Sequence, residues 1–204
     1  MTREDFAVAF DVSRETLLRF DTYAAQLAKW NRSINLVAPK SLEAVWQRHF
    51  ADSAQLLDHA PAAARSWIDL GAGAGFPGLV IAMLRPDLRV TLIESDRRKA
   101  VFLRETARLT GTEVTVIAER IEAVEAQADI VSARALAPLG DLLALAAPFV
   151  GEGGRLLFLK GERASLELTG TRDLWHMEAA LHPSRTDPRG HVLAIAALSR
   201  RKRS

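Results

Sequence analysis

One stretch constrains this chain more than any other: Ser66-Trp67-Ile68-Asp69-Leu70-Gly71-Ala72-Gly73-Ala74-Gly75-Phe76-Pro77-Gly78. A short apolar run ends in an acid, four glycines follow within eight residues, and an apolar run continues from Leu79 to Leu84. The pattern reads as strand, tight turn and helix. Glycines allow positive φ and let a ligand approach the main chain without meeting a Cβ. The amides that open the next helix form an electropositive cradle. Pro77 suits the first helical turn, and Pro86 marks the far end, because the residue before a proline avoids helical φ/ψ.

Two kinds of cofactor are cradled in this way. Gly73, Gly75 and Gly78 satisfy G-x-G-x-x-G, the dinucleotide fingerprint, which alone is a weak signal. The register Asp69-x-Gly71-x-Gly73-x-Gly75 says more, since a carboxylate at the strand end suits a cationic ligand better than a pyrophosphate. S-adenosylmethionine (SAM) carries a sulfonium, an ammonium and no phosphate. A second strand, Arg89-Val90-Thr91-Leu92-Ile93, ends in Glu94. A carboxylate there is expected to accept the ribose hydroxyls of an adenosine. Its competing role is to cap the helix that opens at Ser95 or Asp96.

The rest of the chain alternates strand and helix. Strands are expected at 67–70, 89–94, 113–118, 128–132, 154–160, 173–181 and 191–198, and helices near 78–85, 96–109, 138–149 and 161–169. Short apolar strands alternating with helices imply a parallel sheet covered on both faces. The last two strands are joined without a helix, so a terminal antiparallel hairpin is expected. The fold class is therefore α/β: a Rossmann-like class I methyltransferase sheet of seven strands, preceded by a small helical lobe. The expected division is 1–62 for the lobe and 63–204 for the SAM-binding domain. Within the lobe, residues 13–30 form an amphipathic helix capped by Ser13, with Leu17, Phe20, Ala24, Leu27 and Ala28 at helical spacing. Residues 41–59 form one bent helix or two short ones, with Ser41 as a possible cap. His49 and Asp52, spaced i, i+3, share a face.

The 204 residues suffice for one sizeable core, and 49% hydrophobic with 25% charged residues is ordinary for a soluble globular protein. No run approaches the ~20 apolar residues of a membrane span, and the first residues lack a secretion signal. A cytoplasmic monomer is the expectation. With no cysteine, thiol chemistry and cysteine-ligated zinc are excluded, and no metal is expected. Net charge is +2, but Arg200-Arg201-Lys202-Arg203 concentrates four of the 27 basic residues, as nucleic-acid-binding or solvated tails do.

In an open α/β sheet the ligand lies beyond the carboxyl ends of the strands. That rule selects Gly71, Gly73 and Phe76, then Glu94, then Ile121 and Glu122, then Arg134, then Lys160. Phe76 either closes over the cofactor or packs in the core. Ile121 and Glu122 suit an adenine site or a short surface helix. Arg134 is placed to hold a cofactor carboxylate or a phosphate, unless it forms a structural ion pair. Arg97, Arg98 and Lys99 sit in the first turn of the helix capped by Asp96, where cations are disfavoured by the dipole. With Arg32, Arg48, His49, Arg134, Lys160 and the tail they are expected to form a phosphate-binding surface. His49 and Asp52 lack the partners of an acid–base site, and a helix-surface hydrogen bond or an inter-lobe contact is the better reading.

These residues resemble a known family. Asn31-Arg32-Ser33-Ile34-Asn35-Leu36, Arg48-His49-x-x-Asp52-Ser53, Asp69-x-Gly71-x-Gly73-x-Gly75-Phe76-Pro77-Gly78 and Ser132-x-Arg134-Ala135 occur in an order and at intervals similar to those of the bacterial ribosomal RNA small subunit methyltransferase G family, also called glucose-inhibited division protein B. The likeness spans roughly residues 25–161. It implies SAM-dependent methylation of guanine N7 at position 527 of 16S rRNA, in the 530 loop, within the 30S subunit or an assembly intermediate. It implies SAM contacts at Gly71, Phe76, Ile121, Glu122 and Arg134. Trp30, Arg48 and His49 become candidates to hold an unpaired guanine by stacking and edge contacts, beside Arg32, Arg97, Arg98, Lys99 and Lys160 for RNA. Ala72 replaces a frequent serine or threonine, Val37 replaces a common threonine, and the loop at Arg189-Gly190-His191 departs from the usual Arg-His pair. Two other readings stay open at this point: a nicotinamide-dependent oxidoreductase, and a SAM-dependent methyltransferase for a small molecule or protein.

Overall fold

A computed structural model describes residues 1–201. Its strands are β1 (Ser66–Leu70), β2 (Arg89–Ile93), β3 (Thr115–Ile117), β4 (Ala128–Arg134), β5 (Val150–Lys160), β6 (Trp175–Pro183) and β7 (His191–Arg200). They form one sheet in the order β3-β2-β1-β4-β5-β7-β6. Pairing is parallel from β3 through β5, and β7 is antiparallel to both β5 and β6. This is the expected seven-stranded sheet with a terminal hairpin. The strand order reverses between β1 and β4, and a crevice opens at such a switch point. Their register sets Asp69 opposite Ser132 and Leu70 opposite Ala133.

Strand side chains alternate between two apolar layers, as a period of two requires. Trp67, Ile130, Leu157 and Leu159 face one layer, while Ile68, Leu70, Val131, Leu156 and Phe158 face the other. Helices α5 (Gly78–Leu84) and α6 (Arg97–Thr110) cover the first layer together with α1 (Arg3–Ala9) and α2 (Arg14–Trp30). Helix α7 (Leu139–Ala146) covers the second, and α8 (Ala164–Thr171) lies beside it.

Several local expectations need correction. Helix α1 was not anticipated, although Thr2 and Asp5 form a reciprocal capping box at its start and Phe6 is fully buried. Ser13 caps α2 by accepting from the Thr16 amide, as expected, but on that helix Tyr23 is buried and Ala28 is exposed. Ser41 is not a cap; it lies inside the one-turn helix α3 (Pro39–Leu42), whose cap position is Ala38. The segment after it is a single bent run: a π-helical turn at Trp46–Ala51, α4 (Asp52–Ala54), and a 3-10 turn at Gln55–His59. Strand β5 starts earlier than expected because Gly151–Gly154 form a bulge; the register slips between Ala128 and Ile130, with Gly153 at φ 70°. Of the basic tail, Arg200 ends β7 and Arg201 donates its amide to the Leu174 carbonyl. Lys202 and Arg203 lie outside the described residues.

Candidate active site

The glycine turn after β1 is left-handed at Gly71, Gly73 and Gly75 (φ 65°, 57° and 92°). The glycines differ in what surrounds them. A Cβ on Gly78 would strike the Leu92 side chain and come within 2.6 Å of the Asp69 Cβ. A Cβ on Gly73 would meet only the Gly71 carbonyl, at 3.8 Å. Gly78 is therefore glycine for packing, whereas Gly73 faces open space from which a ligand can approach the backbone.

Asp69 corrects an expectation. It does not present its charge to a cationic ligand. It is fully buried. One oxygen accepts from the Gly78 amide at 2.9 Å, and the other accepts from the Ser132 hydroxyl at 2.7 Å. Ser132 in turn accepts from the Trp67 indole at 2.7 Å. Burial raises the Asp69 carboxyl to about 7, against the hydrogen bonds from Ser132 and Gly78 that favour the anion. The acid ties helix α5 and strand β4 to β1 and so builds the turn from beneath. Glu94 is not the cap of α6, which is Asp96; one of its carboxylate oxygens accepts from the Gly73 amide (2.8 Å), the other from the Asp96 amide (2.7 Å). It joins the glycine turn to the mouth of α6, where Asp96 caps the Arg98 and Lys99 amides. Sequence reasoning missed Tyr23, whose hydroxyl donates to the Ala74 carbonyl from α2. The signal was a lone tyrosine on the apolar face of a helix, a side chain whose hydroxyl seeks a partner when buried.

Arg134 ends β4 and is followed by Ala135 at φ 53°, a turn that leaves the guanidinium at the switch point. Its side chain is only 19% exposed, and burial pulls its pKa below the ordinary arginine value, while Asp52 opposes that shift. The guanidinium carbon lies 4.7 Å from the Phe76 ring centre. Nη1 makes all of its internal contacts: the Arg48 carbonyl (3.2 Å), His49 Nδ1 (3.1 Å) and Asp52 Oδ2 (3.5 Å). Nε and Nη2 have no hydrogen-bond partner among the described residues, so one edge of the fork remains for a ligand.

An arginine can only donate, which settles the tautomer of His49. Nδ1 accepts from Arg134, so the proton sits on Nε2 and is donated to Ser41 Oγ at 2.9 Å; Ser41 passes its own proton to the Ala38 carbonyl at 2.6 Å. Burial first, then Arg134 and Arg48, push His49 down to about 3, so the ring stays neutral. It lies flat on Phe76, with ring centres 4.7 Å apart and planes 11° from parallel. Phe76 also stacks with Tyr23 and is 3% exposed. Core packing is thus Phe76's observed state, and it forms the surface that carries His49 and Arg134.

Beside these groups a cleft of roughly 660 Å³ opens at the carboxyl ends of β4 and β5. It unites Arg48, His49, Asp52, Arg134 and Lys160, which are far apart in sequence. Three of its cations are paired: Arg134 with Asp52, Arg48 with Asp187 at 2.6 Å, and Lys160 with Glu167 at 2.6 Å, while the exposed Arg163 on its rim has no ion pair among the described residues. Lys160 also donates to the Ala137 carbonyl and is only 10% exposed. The expected single phosphate-binding surface is therefore not what forms. Arg32, Arg97 and Arg98 are exposed, and they and Lys99 lie outside the cleft lining. Trp30 packs edge-on against Phe102 at 5.8 Å, where α2 meets α6, and it too is not part of the cleft. Ile121 and Glu122 occupy a short 3-10 turn, the isoleucine half-buried and the glutamate exposed beside Arg120.

Comparison with known proteins identifies the family. The family model for rRNA small subunit methyltransferase G matches residues 17–188. A Rhodospirillum centenum protein named ribosomal RNA small subunit methyltransferase G is 57% identical over 198 residues, covering 97% of this chain and 91% of that one. A Parvibaculum lavamentivorans protein of the same name is 52% identical over 201 residues, covering 96% and 89%. Among solved structures, M. jannaschii TYW2 in complex with AdoMet superposes with a TM-score of 0.57 at 17% identity, covering 83% of this chain and 80% of that one. That likeness is one of fold. The oxidoreductase reading finds no support in any of these matches. The chain belongs to the rRNA small subunit methyltransferase G family.

Proposed function

We propose that this protein transfers the methyl group of SAM to N7 of guanine 527 in the 530 loop of 16S rRNA. It acts as a cytoplasmic monomer on the 30S subunit or an assembly intermediate. Family membership over nearly the whole chain is the observation that carries the reaction class. The geometry supports the residue roles. Gly71 and Gly73 form the floor on which the cofactor lies, and the open space above Gly73 leaves room for it. Glu94, at the end of β2, stands beside that floor and takes the ribose hydroxyls with its remaining lone pairs. Ile121 and Glu122 border the adenine. The free edge of Arg134 takes the methionyl carboxylate in a two-pronged bond.

When bound, the cofactor supplies an electrophilic methyl group on sulfonium. Guanine N7 has a lone pair and no proton, so this chain need not remove one. Its task is to align N7 with the methyl carbon and to exclude water. Arg48 and His49, on the cleft wall, position the base. Arg32, Arg97, Arg98 and Lys99, outside the cleft, meet RNA phosphates.

The test is methyl transfer from labelled SAM to 30S subunits and naked 16S rRNA from a strain lacking this enzyme, with the modified nucleotide mapped. Label at N7 of guanine 527 is expected; label on another nucleotide refutes the reading. Arg134→Ala should weaken SAM binding by roughly ten- to hundredfold, the value of a charge-assisted pair. Unchanged affinity removes Arg134 from the cofactor site.

A further inference from the structure

The loop between β6 and β7 is bound to the bent helical run by an unusual density of polar contacts. Gln47 Nε2 donates to the Thr186 carbonyl at 3.0 Å, and the Arg185 amide donates to Gln55 Oε1 at 2.9 Å. Gln55 Nε2 donates to Ser184 Oγ (3.1 Å) and to Asp52 Oδ1 (2.9 Å). Arg48 pairs with Asp187, and Arg185 pairs with Asp58. At the centre, the Thr186 hydroxyl, 6% exposed, donates to Asp52 Oδ1 at 2.8 Å. The other oxygen of Asp52 faces Arg134, at a loose 3.5 Å.

We propose that Thr186 is a positioning residue for Arg134: its hydroxyl, with the Gln55 amide, fixes the Asp52 carboxylate as the counter-ion that orients the guanidinium's free edge toward the cofactor. The proposal rests on Arg134 holding the cofactor carboxylate, and it assigns a role to the hairpin loop that the cofactor site does not itself contain. The Arg48 carbonyl and His49 Nδ1 hold only Nη1, so the Asp52 carboxylate, 3.5 Å from the same nitrogen, is the charged group that sets the tilt of the guanidinium, and its own position is held from behind. Thr186 and Gln55 converge on the far oxygen and supply that hold.

The charged and titratable groups around Asp52, of which His49 is neutral, set the sign of a pH effect. Arg134 from β4, Arg48 and His49 from its own helical run, and Asp187 from the loop, itself paired with Arg48, surround it. Burial raises the Asp52 carboxyl, and Arg134 and the Thr186 hydroxyl act against that rise. Removing the hydroxyl therefore raises it further, and protonation then withdraws the counter-ion at a higher pH.

The experiment is steady-state methylation of 30S subunits with SAM varied, across pH 5 to 9, for Thr186→Val, Thr186→Ser and Arg134→Ala, together with SAM calorimetry. Thr186→Val keeps the volume and deletes the hydrogen bond. Its KM for SAM should rise by roughly tenfold with kcat little changed. The acid limb of kcat/KM for SAM should move to higher pH. Thr186→Ser restores both. In an Arg134→Ala background Thr186→Val should add nothing further, because both act through one guanidinium. If Thr186→Val folds poorly, the Thr186→Ser rescue and the double-variant comparison on the folded fraction still decide. Wild-type KM and an unmoved acid limb in Thr186→Val, with Arg134→Ala impaired, overturn the proposal and leave the cofactor reading standing. An unimpaired Arg134→Ala overturns the cofactor reading of Arg134, and the proposal with it.

Discussion

Gly73→Ala separates a glycine kept for the backbone from one kept for a ligand. At φ 57° an L-residue pays for the left-handed conformation, about 1 kcal/mol for alanine. The new Cβ meets nothing closer than the Gly71 carbonyl at 3.8 Å, so no clash adds to that cost. Thermal midpoint should fall by about 2–4 °C, the shift expected per kcal/mol in a chain of this size. The methyl group points into the space assigned to the cofactor, and SAM affinity should fall by at least about tenfold, or ~1.4 kcal/mol. Gly78→Ala is the control with the opposite signature. Its φ is ordinary, but the Cβ would strike Leu92 and crowd Asp69, and overpacking of this kind costs roughly 1–3 kcal/mol or more. Thermal denaturation and SAM calorimetry on both variants make the comparison. A Gly73→Ala protein that is mildly destabilised yet binds SAM like the wild type would refute the assignment of the space above Gly73 to the cofactor.

Three further outcomes follow from the buried acid and the exposed cations. Ser132→Ala orphans the Trp67 indole and one oxygen of Asp69 at once, and denaturant melts should show a loss of roughly 2–4 kcal/mol. In the wild type, Asp69 is raised in the folded state to about 7, so the folded form holds a proton that the unfolded form has released. Its contribution is complete below the unfolded carboxylate range near 4 and is lost as pH rises to 7, by at most ~1.4 kcal/mol per unit; Asp69→Asn should flatten that slope. Replacing Arg97 and Arg98 with glutamine should weaken binding to 30S subunits and lower the salt slope by about one per phosphate contact removed, leaving SAM affinity unchanged.

Most of the fold was legible because strand and helix periods alternate cleanly from Ser66 onward and the glycine turn marks the first crossover. The errors have physical causes. The expected strand 154–160 is shorter than β5 because a bulge absorbs the glycines at 151–154 without ending the pairing, and a bulge has no period of two to read. Helix α1 was missed although its capping box was visible at Thr2 and Asp5, because a seven-residue helix offers too few turns for periodicity to register. Asp69 was read as facing a ligand because sequence places it at a strand end but cannot say which way the side chain turns. The register opposite Ser132 turns it inward. The scattered cations illustrate the same limit. Arg48, Arg134 and Lys160 do converge, but so do Asp187, Asp52 and Glu167, from segments that no local pattern links to them.

That pairing bears on how the proposed reaction is accommodated. Methyl transfer to N7 would move one positive charge from sulfur to the guanine ring, so the total charge of the reactants would not change during the step. A cleft crowded with free cations would repel that charge in both positions. Here each of the three central cations faces a carboxylate, and His49 adds none, because burial and two arginines hold it neutral. The imidazole is also unavailable as a base, since Arg134 occupies its acceptor nitrogen and its proton points at Ser41. For a nucleophile with a free lone pair and nothing to deprotonate, such a site is sufficient: it arranges the reactants, and its balanced charges leave the moving cation unopposed.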